Sequence, residues 1–260
     1  MTVAAAEIKS CCAAAYSSAA AGFLLGDSFH PGGRELTSRL IRQLGVGTGS
    51  TVVDVASGRG TSALLLAREL DCDVVGVDLS PTSVAAAADA AMQAGLAGQV
   101  RFIVGDAEAL PLEDASVDGA LCECALCTFP DKEAAVSELA RVLRPRAVLV
   151  LADIVAEPER LPDELRSLAA WVACVADAKP IAELSALLQR AGFAIEKVER
   201  HDGALARLLE ILDARLRTAA LVWPELSADG LAQGRDLVQA ARDALSRGSL
   251  GYGSILARLA

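Results

Sequence analysis

The 260-residue chain carries 34 acidic against 24 basic side chains, a net charge of -10. Nucleic-acid affinity rests on neutralising phosphates, so this balance argues against DNA, RNA or an anionic membrane surface as partner. Hydrophobic residues make up 53% and aromatics only 3%, which implies an aliphatic core in one large domain or a domain with a generous insertion.

No apolar run reaches the ~20 residues of a membrane span. The stretch Ala13 to Leu25 is broken by Tyr16-Ser17-Ser18 and is followed by no clean cleavage site, so a cytoplasmic protein is expected. Residues 1–20 read as a helix bearing Cys11, Cys12 and Tyr16, and Gly26 to Gly33 as a loop punctuated by Pro31 and paired glycines. A helix over 34–44 leads to a β-branched strand at 51–55 ending beside Asp54. The turn Ala56-Ser57-Gly58-Arg59-Gly60 follows, then a helix at 61–70. Strand 73–77 runs into Asp78, helix 81–95 starts at Ser80-Pro81, and strand 100–104 ends in Gly105-Asp106-Ala107. Strand 117–122, helix 132–143 and strand 147–153 continue the alternation. Helices near 161–175 and 180–191 then precede a strand at 193–200. Helical pattern at 203–218 and 226–246 comes before a last strand over 251–259. Alternation of this kind predicts an α/β fold.

A glycine turn at one strand end and a carboxylate at the next form the architecture of a nucleoside site, Gly58 and Gly60 admitting a ligand close to the backbone. With the third acid, Asp106, the pattern resembles the class I S-adenosylmethionine-dependent methyltransferases. That resemblance implies a doubly wound, mostly parallel, seven-stranded Rossmann-like sheet with an antiparallel last strand. It also implies a helical N-terminal lid over 1–45, a cofactor-binding core over 46–202, a helical insertion over 203–247 and a closing strand over 248–260. Carried over residue by residue, Asp54, Ser57, Gly58 and Gly60 take the amino-acid end of S-adenosylmethionine and Asp78 with Leu79 the ribose. Asp106 and Ala107 take the adenine, and Cys122 flanks the cofactor although its strand phase points to the core. Ala56 stands where the family has a glycine, a change that costs little if φ stays negative; Arg146-Ala147 replace a glycine pair. An NAD-binding domain shares the fingerprint, but no hydride-transfer constellation follows.

Ligands of an open parallel sheet lie beyond the carboxyl ends of its strands, and with the cofactor on the loops after the first three strands the resemblance implies that the loop after the fourth faces the transferred methyl group. Here it carries Cys122, Cys124 and Cys127. Such thiols can be buried filler, and a redox pair remains open, whereas finger-type zinc ligation lacks a second Cys/His pair. Thiolates also select thiophilic centres such as trivalent arsenic. The run Cys124 to Lys132, with its Pro130-Asp131-Lys132, resembles the corresponding motif of arsenite methyltransferases, and Ala173-Cys174-Val175-Ala176-Asp177 resembles their second substrate cysteine. The resemblance implies Cys124 and Cys174 as arsenic ligands, and the lid position makes Cys12 or Cys11 the expected third. Cys72 reads as structural.

His30 could act as a base or site contact, His201 reads as a surface residue, and Asp153 and Glu123 are expected on the rim of the site. Asp27-Ser28 could touch the methionine tail or cap a helix. The expected reaction is methyl transfer to a thiol-bound metalloid, arsenite or a methylarsenical before selenium or tellurium. The alternatives are O- or N-methylation of a small organic molecule with His30, Glu123 or Asp153 as base, and a non-catalytic metalloid-binding protein. The insertion is expected either to cover a sheet face or to make a homodimer contact.

Overall fold

The computed structural model describes residues 5–18, 22–24, 26, 30–167, 175–222 and 228–260. Seven strands, β1 (Thr51–Val55), β2 (Asp73–Asp78), β3 (Val100–Val104), β4 (Val117–Glu123), β5 (Leu143–Ala156), β6 (Phe193–Arg200) and β7 (Leu250–Leu259), form one sheet. Their order is β3-β2-β1-β4-β5-β7-β6. Pairings from β3 to β5 are parallel, and β7 runs antiparallel to both β5 and β6. β1 and β2 are valine-rich, and the central strands are buried along most of their length, as expected where helices cover both faces of a parallel sheet.

On one face, α1 (Ala5–Ser17), α2 (Gly33–Ile41), α3 (Thr61–Leu70) and α4 (Pro81–Gln93) are joined by α7 (Asp202–Val222) and α8 (Ala228–Ser246). On the other lie α5 (Lys132–Val142) and α6 (Ile181–Arg190). Helix α4 begins as its sequence suggests: Ser80 Oγ accepts the Ser83 N–H (3.2 Å), and Pro81 occupies the first turn. Helix α2 is amphipathic, burying Leu36, Leu40 and Ile41, with Thr37 on the same side.

Two expectations need correction. The helix read over 161–175 is absent from its described part at 161–167, where Asp163–Arg166 is a short 3-10 turn, as is Pro158–Arg160 just before it. Pro158 and Pro162 explain this, since each removes an N–H and disfavours a helical residue before it. Ala56 does not keep a negative φ; it sits at +58°, a left-handed conformation that costs a non-glycine residue about 1–2 kcal/mol. Arg146 likewise adopts φ +69°, which accounts for a glycine there in the resembled family.

The reversal of strand order places the carboxyl ends of β1 and β4 side by side, with Asp54 and Glu123 on the face covered by α2 and α3. A ligand-binding crevice is expected at that switch point.

Candidate active site

A cleft of about 1080 Å³, open solvent at its mouth included, lies above the ends of β1, β2 and β4. Its floor is Asp54, Ser57, Gly58, Asp78 and Leu79; its far wall is His30, Glu123, Cys124 and Phe129. Helix α1 closes the top with Lys9, Cys12 and Tyr16.

The floor is built for a bound group carrying donors. Asp54 is 2% exposed, and its Oδ2, like Ser57 Oγ, has no hydrogen-bond partner among the described residues. Gly58 turns through φ +53°, and a Cβ there would meet no protein atom within 4 Å, so the space it borders is the cleft itself. Gly60 is different. At φ +81° it lies against Phe102, whose Cζ would be 2.6 Å from an added Cβ, so it serves packing between turn and sheet. Asp78 organises the turn by accepting the Gly58 N–H on Oδ2 (2.8 Å) and the Ser80 N–H on Oδ1 (2.8 Å).

Burial pushes the Asp54 carboxyl well above the ordinary carboxylate range, and the nearby Glu123 and Asp78 charges add to the shift. Burial also raises Asp78, against the two backbone N–H groups that hold its charged form. A carboxyl whose folded pKa is raised binds its proton in the native state where the unfolded chain has lost it. Stability is therefore lost as pH rises from 3.8 through the raised value. Asp54→Asn should remove that loss: its Tm at pH 7 should exceed wild type by about 2–4 °C, and the difference should vanish below pH 4. Scanning calorimetry across pH checks this, and equal Tm values at pH 7 would contradict it.

Glu123 is the centre of the far wall. Ser62 Oγ donates to its Oε2 (2.8 Å), and the Thr37 hydroxyl lies 3.1 Å from both of its oxygens. His30 Nε2 stands 3.7 Å from Oε2, itself buried at 8% exposure. His30, read from the sequence as a base or site contact, thus stands beside a buried cluster assembled from α2, α3 and β4. Cys124 follows at φ +52°, its N–H donating to Ala152 O (2.7 Å), and that left-handed turn sets it on the cleft wall.

Other expected site residues lie elsewhere. Cys122 is fully buried on the opposite face, where burial drives its thiol far up, so it does not reach the cleft. Asp106 and Ala107 do not line the cleft; Asp106 accepts from Lys9 Nζ (2.6 Å), which also contacts Glu108, so the acid expected to meet adenine anchors the lid helix. Cys11 does not line the cleft either, whereas Cys12 does. Asp153, expected on the rim, is 1% exposed and accepts the Cys127 N–H (2.9 Å), fixing the β4 loop from beneath. His201 is no bare surface residue: its Nε2 lies 2.7 Å from Ser254 Oγ and its Nδ1 3.1 Å from Arg39. Cys72 is buried, as a structural cysteine should be. Cys174, Asp27 and Ser28 lie outside the described residues.

Sequence reading missed Lys9, Thr37, Ser62 and Lys132. The last is a buried cation whose Nζ donates to Cys127 O (3.2 Å), Phe129 O (3.0 Å) and Asp177, fastening the β4 loop to the segment before α6. Its place in Pro130-Asp131-Lys132 was the available signal. Among the described residues no three His, Cys, Asp or Glu side chains converge as a metal site.

The family described as Methyltransferase domain matches residues 47–198. Methyltransferase GfsG of Streptomyces halstedii is 36% identical over 129 residues, covering 50% of this chain and 46% of that protein. An arsenite methyltransferase of Halobacterium salinarum is 31% identical over 157 residues, covering 59% of this chain and 40% of its own length. The chain thus spans less than half the length of these two relatives. Among solved structures, the cyclase SpnF superposes with a TM-score of 0.80 over 99% of this chain and 97% of its own, at 22% identity, a likeness of fold.

Proposed function

The chain belongs to the methyltransferase-domain family, and from that premise we propose that it methylates a small thiophilic acceptor from S-adenosylmethionine, trivalent arsenic as arsenite or a methylarsenical being the best match. The observation that carries this reading is that Cys12, from the lid helix, and Cys124, from the β4 loop, line one cleft with the orphaned Asp54 and Ser57. Cys124 adds weight because its left-handed backbone is strained, and strain of about 1–3 kcal/mol persists where function requires it.

When bound, S-adenosylmethionine supplies an electrophilic methyl group on a sulfonium sulfur. Asp54 and Ser57 would hold its ammonium end and Asp78 its ribose hydroxyls, while Lys9 holds α1 against Asp106 and Glu108 and so keeps Cys12 over the cleft. The two thiols displace two hydroxyls of arsenite as water, leaving arsenic its lone pair. Pre-orientation of a nucleophilic lone pair beside the methyl then does most of the chemistry, without general-base help. Cys174, three residues before Asp177, is the candidate for a further ligand.

The test is a titration of protein loaded with S-adenosylhomocysteine by arsenite, counting free thiols. Loss of at least two per chain, reduced in Cys12→Ser, supports the reading; loss of none overturns it. His30 and Glu123 favour a second reading, O-methylation, with His30 taking the acceptor's proton and Glu123 behind it. It would give a pH–rate limb that cysteine substitutions leave intact. A 32% identical relative over 169 residues, 27-O-demethylrifamycin SV methyltransferase of Amycolatopsis mediterranei, suits that alternative.

A further inference from the structure

The cleft is lined by three acids, Asp54, Asp78 and Glu123. Asp54 and Asp78 have duties at the two ends of the cofactor, but Glu123 has none there. Its side chain is 3% exposed, yet it borders the cleft. A carboxylate taken out of water needs charge and hydrogen bonds to offset the loss. The protein supplies only part of this. Ser62 Oγ donates at 2.8 Å and the Thr37 hydroxyl lies 3.1 Å from both oxygens, but both groups are neutral. Among the described residues its only ion-pair partner is His30, at 3.7 Å and outside hydrogen-bond reach. The other cations lining the cleft are engaged away from it. Lys9 meets Asp106 and Glu108, and Arg59 Nη2 donates to Ser18 O beyond the end of α1 (3.2 Å).

The orphaned Asp54 Oδ2 and Ser57 Oγ border the same space, so the ligand it suits carries donors and positive charge. Glu123 and Asp54 stand close. Asp54 pairs in register with Leu121, Glu123 lies two residues further along β4, and both acids rise on one face of neighbouring parallel strands. In S-adenosylmethionine the sulfonium sulfur joins the ribose to the amino-acid chain. With those ends over Asp78 and Asp54, the sulfur lies between them, and a methyl group directed at Cys124 turns its charge toward the wall that Glu123 occupies.

We propose that Glu123 is the counter-charge to the cofactor's sulfonium, a specificity-determining residue that separates S-adenosylmethionine from S-adenosylhomocysteine. This rests on the cofactor reading of the cleft and on neither choice of acceptor. In methyl transfer the carbon–sulfur bond breaks, its electron pair stays on sulfur, and the acceptor's lone pair forms the new bond to carbon. The sulfonium becomes a neutral thioether. Glu123 loses its attraction to the ligand while remaining desolvated, so the spent cofactor is held less tightly than the fresh one.

The experiment is titration calorimetry on the full chain with S-adenosylmethionine, with S-adenosylhomocysteine, and with sinefungin, which carries an amine in place of the sulfonium methyl. Wild type should bind both charged ligands about tenfold or more tighter than the neutral one. Glu123→Gln keeps the shape and loses the charge. It should narrow that preference about tenfold, equivalent to 1.4 kcal/mol, while the Kd for S-adenosylhomocysteine moves less than threefold. The preference is a ratio measured on one variant, so any loss of folded protein cancels from it. Glu123→Asp, which keeps the charge, should retain a preference larger than that of glutamine. An unchanged ratio in Glu123→Gln, an equal weakening of all three ligands, or an aspartate variant no more selective than glutamine each overturns the proposal while the cofactor reading stands. Wild type that binds none of the three overturns both.

Discussion

Asp78→Ala should weaken S-adenosylhomocysteine binding by about 100-fold or more, close to 2.7 kcal/mol. Two effects combine. The carboxylate lines the cleft and offers lone pairs to ribose hydroxyls, and hydrogen bonds to a charged group are worth about 1.5–3 kcal/mol each. The same two oxygens hold the Gly58 and Ser80 N–H groups at 2.8 Å, so alanine also releases the glycine turn on which the ligand rests. Asp78→Asn, which keeps the shape but turns one acceptor into a donor, should fall between alanine and wild type. Titration calorimetry reads both variants, and an alanine Kd within threefold of wild type would exclude Asp78 from the cofactor site.

Cys124→Ser should cut arsenite methylation by about 100-fold or more, the loss expected when a group acting in the transition state is removed, with S-adenosylhomocysteine affinity little changed. Serine is a good mimic because it tolerates the left-handed φ of +52° as poorly as cysteine does and differs mainly in losing the soft ligand atom. Cys124→Gly separates fold from function. It relieves about 1–2 kcal/mol of backbone strain and so should raise Tm by about 2–8 °C, yet it should be as inactive as serine. Quantifying methylated arsenic by chromatography with elemental detection decides the case. Near-wild-type turnover in Cys124→Ser would remove the thiol from the mechanism and leave His30 as the group to test.

What could be read before the structure was what local spacing encodes. The runs at β1 and β2, the turn at Ser57 to Gly60 and the carboxylate at Asp78 lie within 28 residues, and their roles follow from strand ends and glycine alone. Side-chain direction across long separations could not be read. Thr37 and Glu123 are 86 residues apart and Ser62 and Glu123 61, so no window of sequence shows that three elements deliver them to one point. Asp153 illustrates the converse: as a strand-end acid it looked like a rim residue, but it is buried, and its carboxyl oxygens accept the Cys127 N–H of the β4 loop and the N–H of its neighbour Ile154. Asp106 matched its motif by position, while its partner Lys9 comes from a helix 97 residues away. Ala56 and Arg146 show that a small or polar residue can hold a position where glycine would be strain-free, a fact carried by φ and invisible in residue type.

The strand order has a consequence for how the chain assembles as it leaves the ribosome. β6 is an edge strand whose sheet partner is β7, and α7 and α8 intervene between the two in the chain. Translation must therefore deliver both helices while β6 has an unpaired edge on each side, in the kind of waiting period during which nascent chains are most open to wrong partners. Its charges are placed to endure that interval: Glu196, Lys197, Glu199 and Arg200 interrupt the strand, and Lys197 pairs with Glu199 in the finished fold (2.9 Å). The helix pair α7–α8 thus delays closure of the sheet, and β6 is written in a chemistry suited to waiting for it.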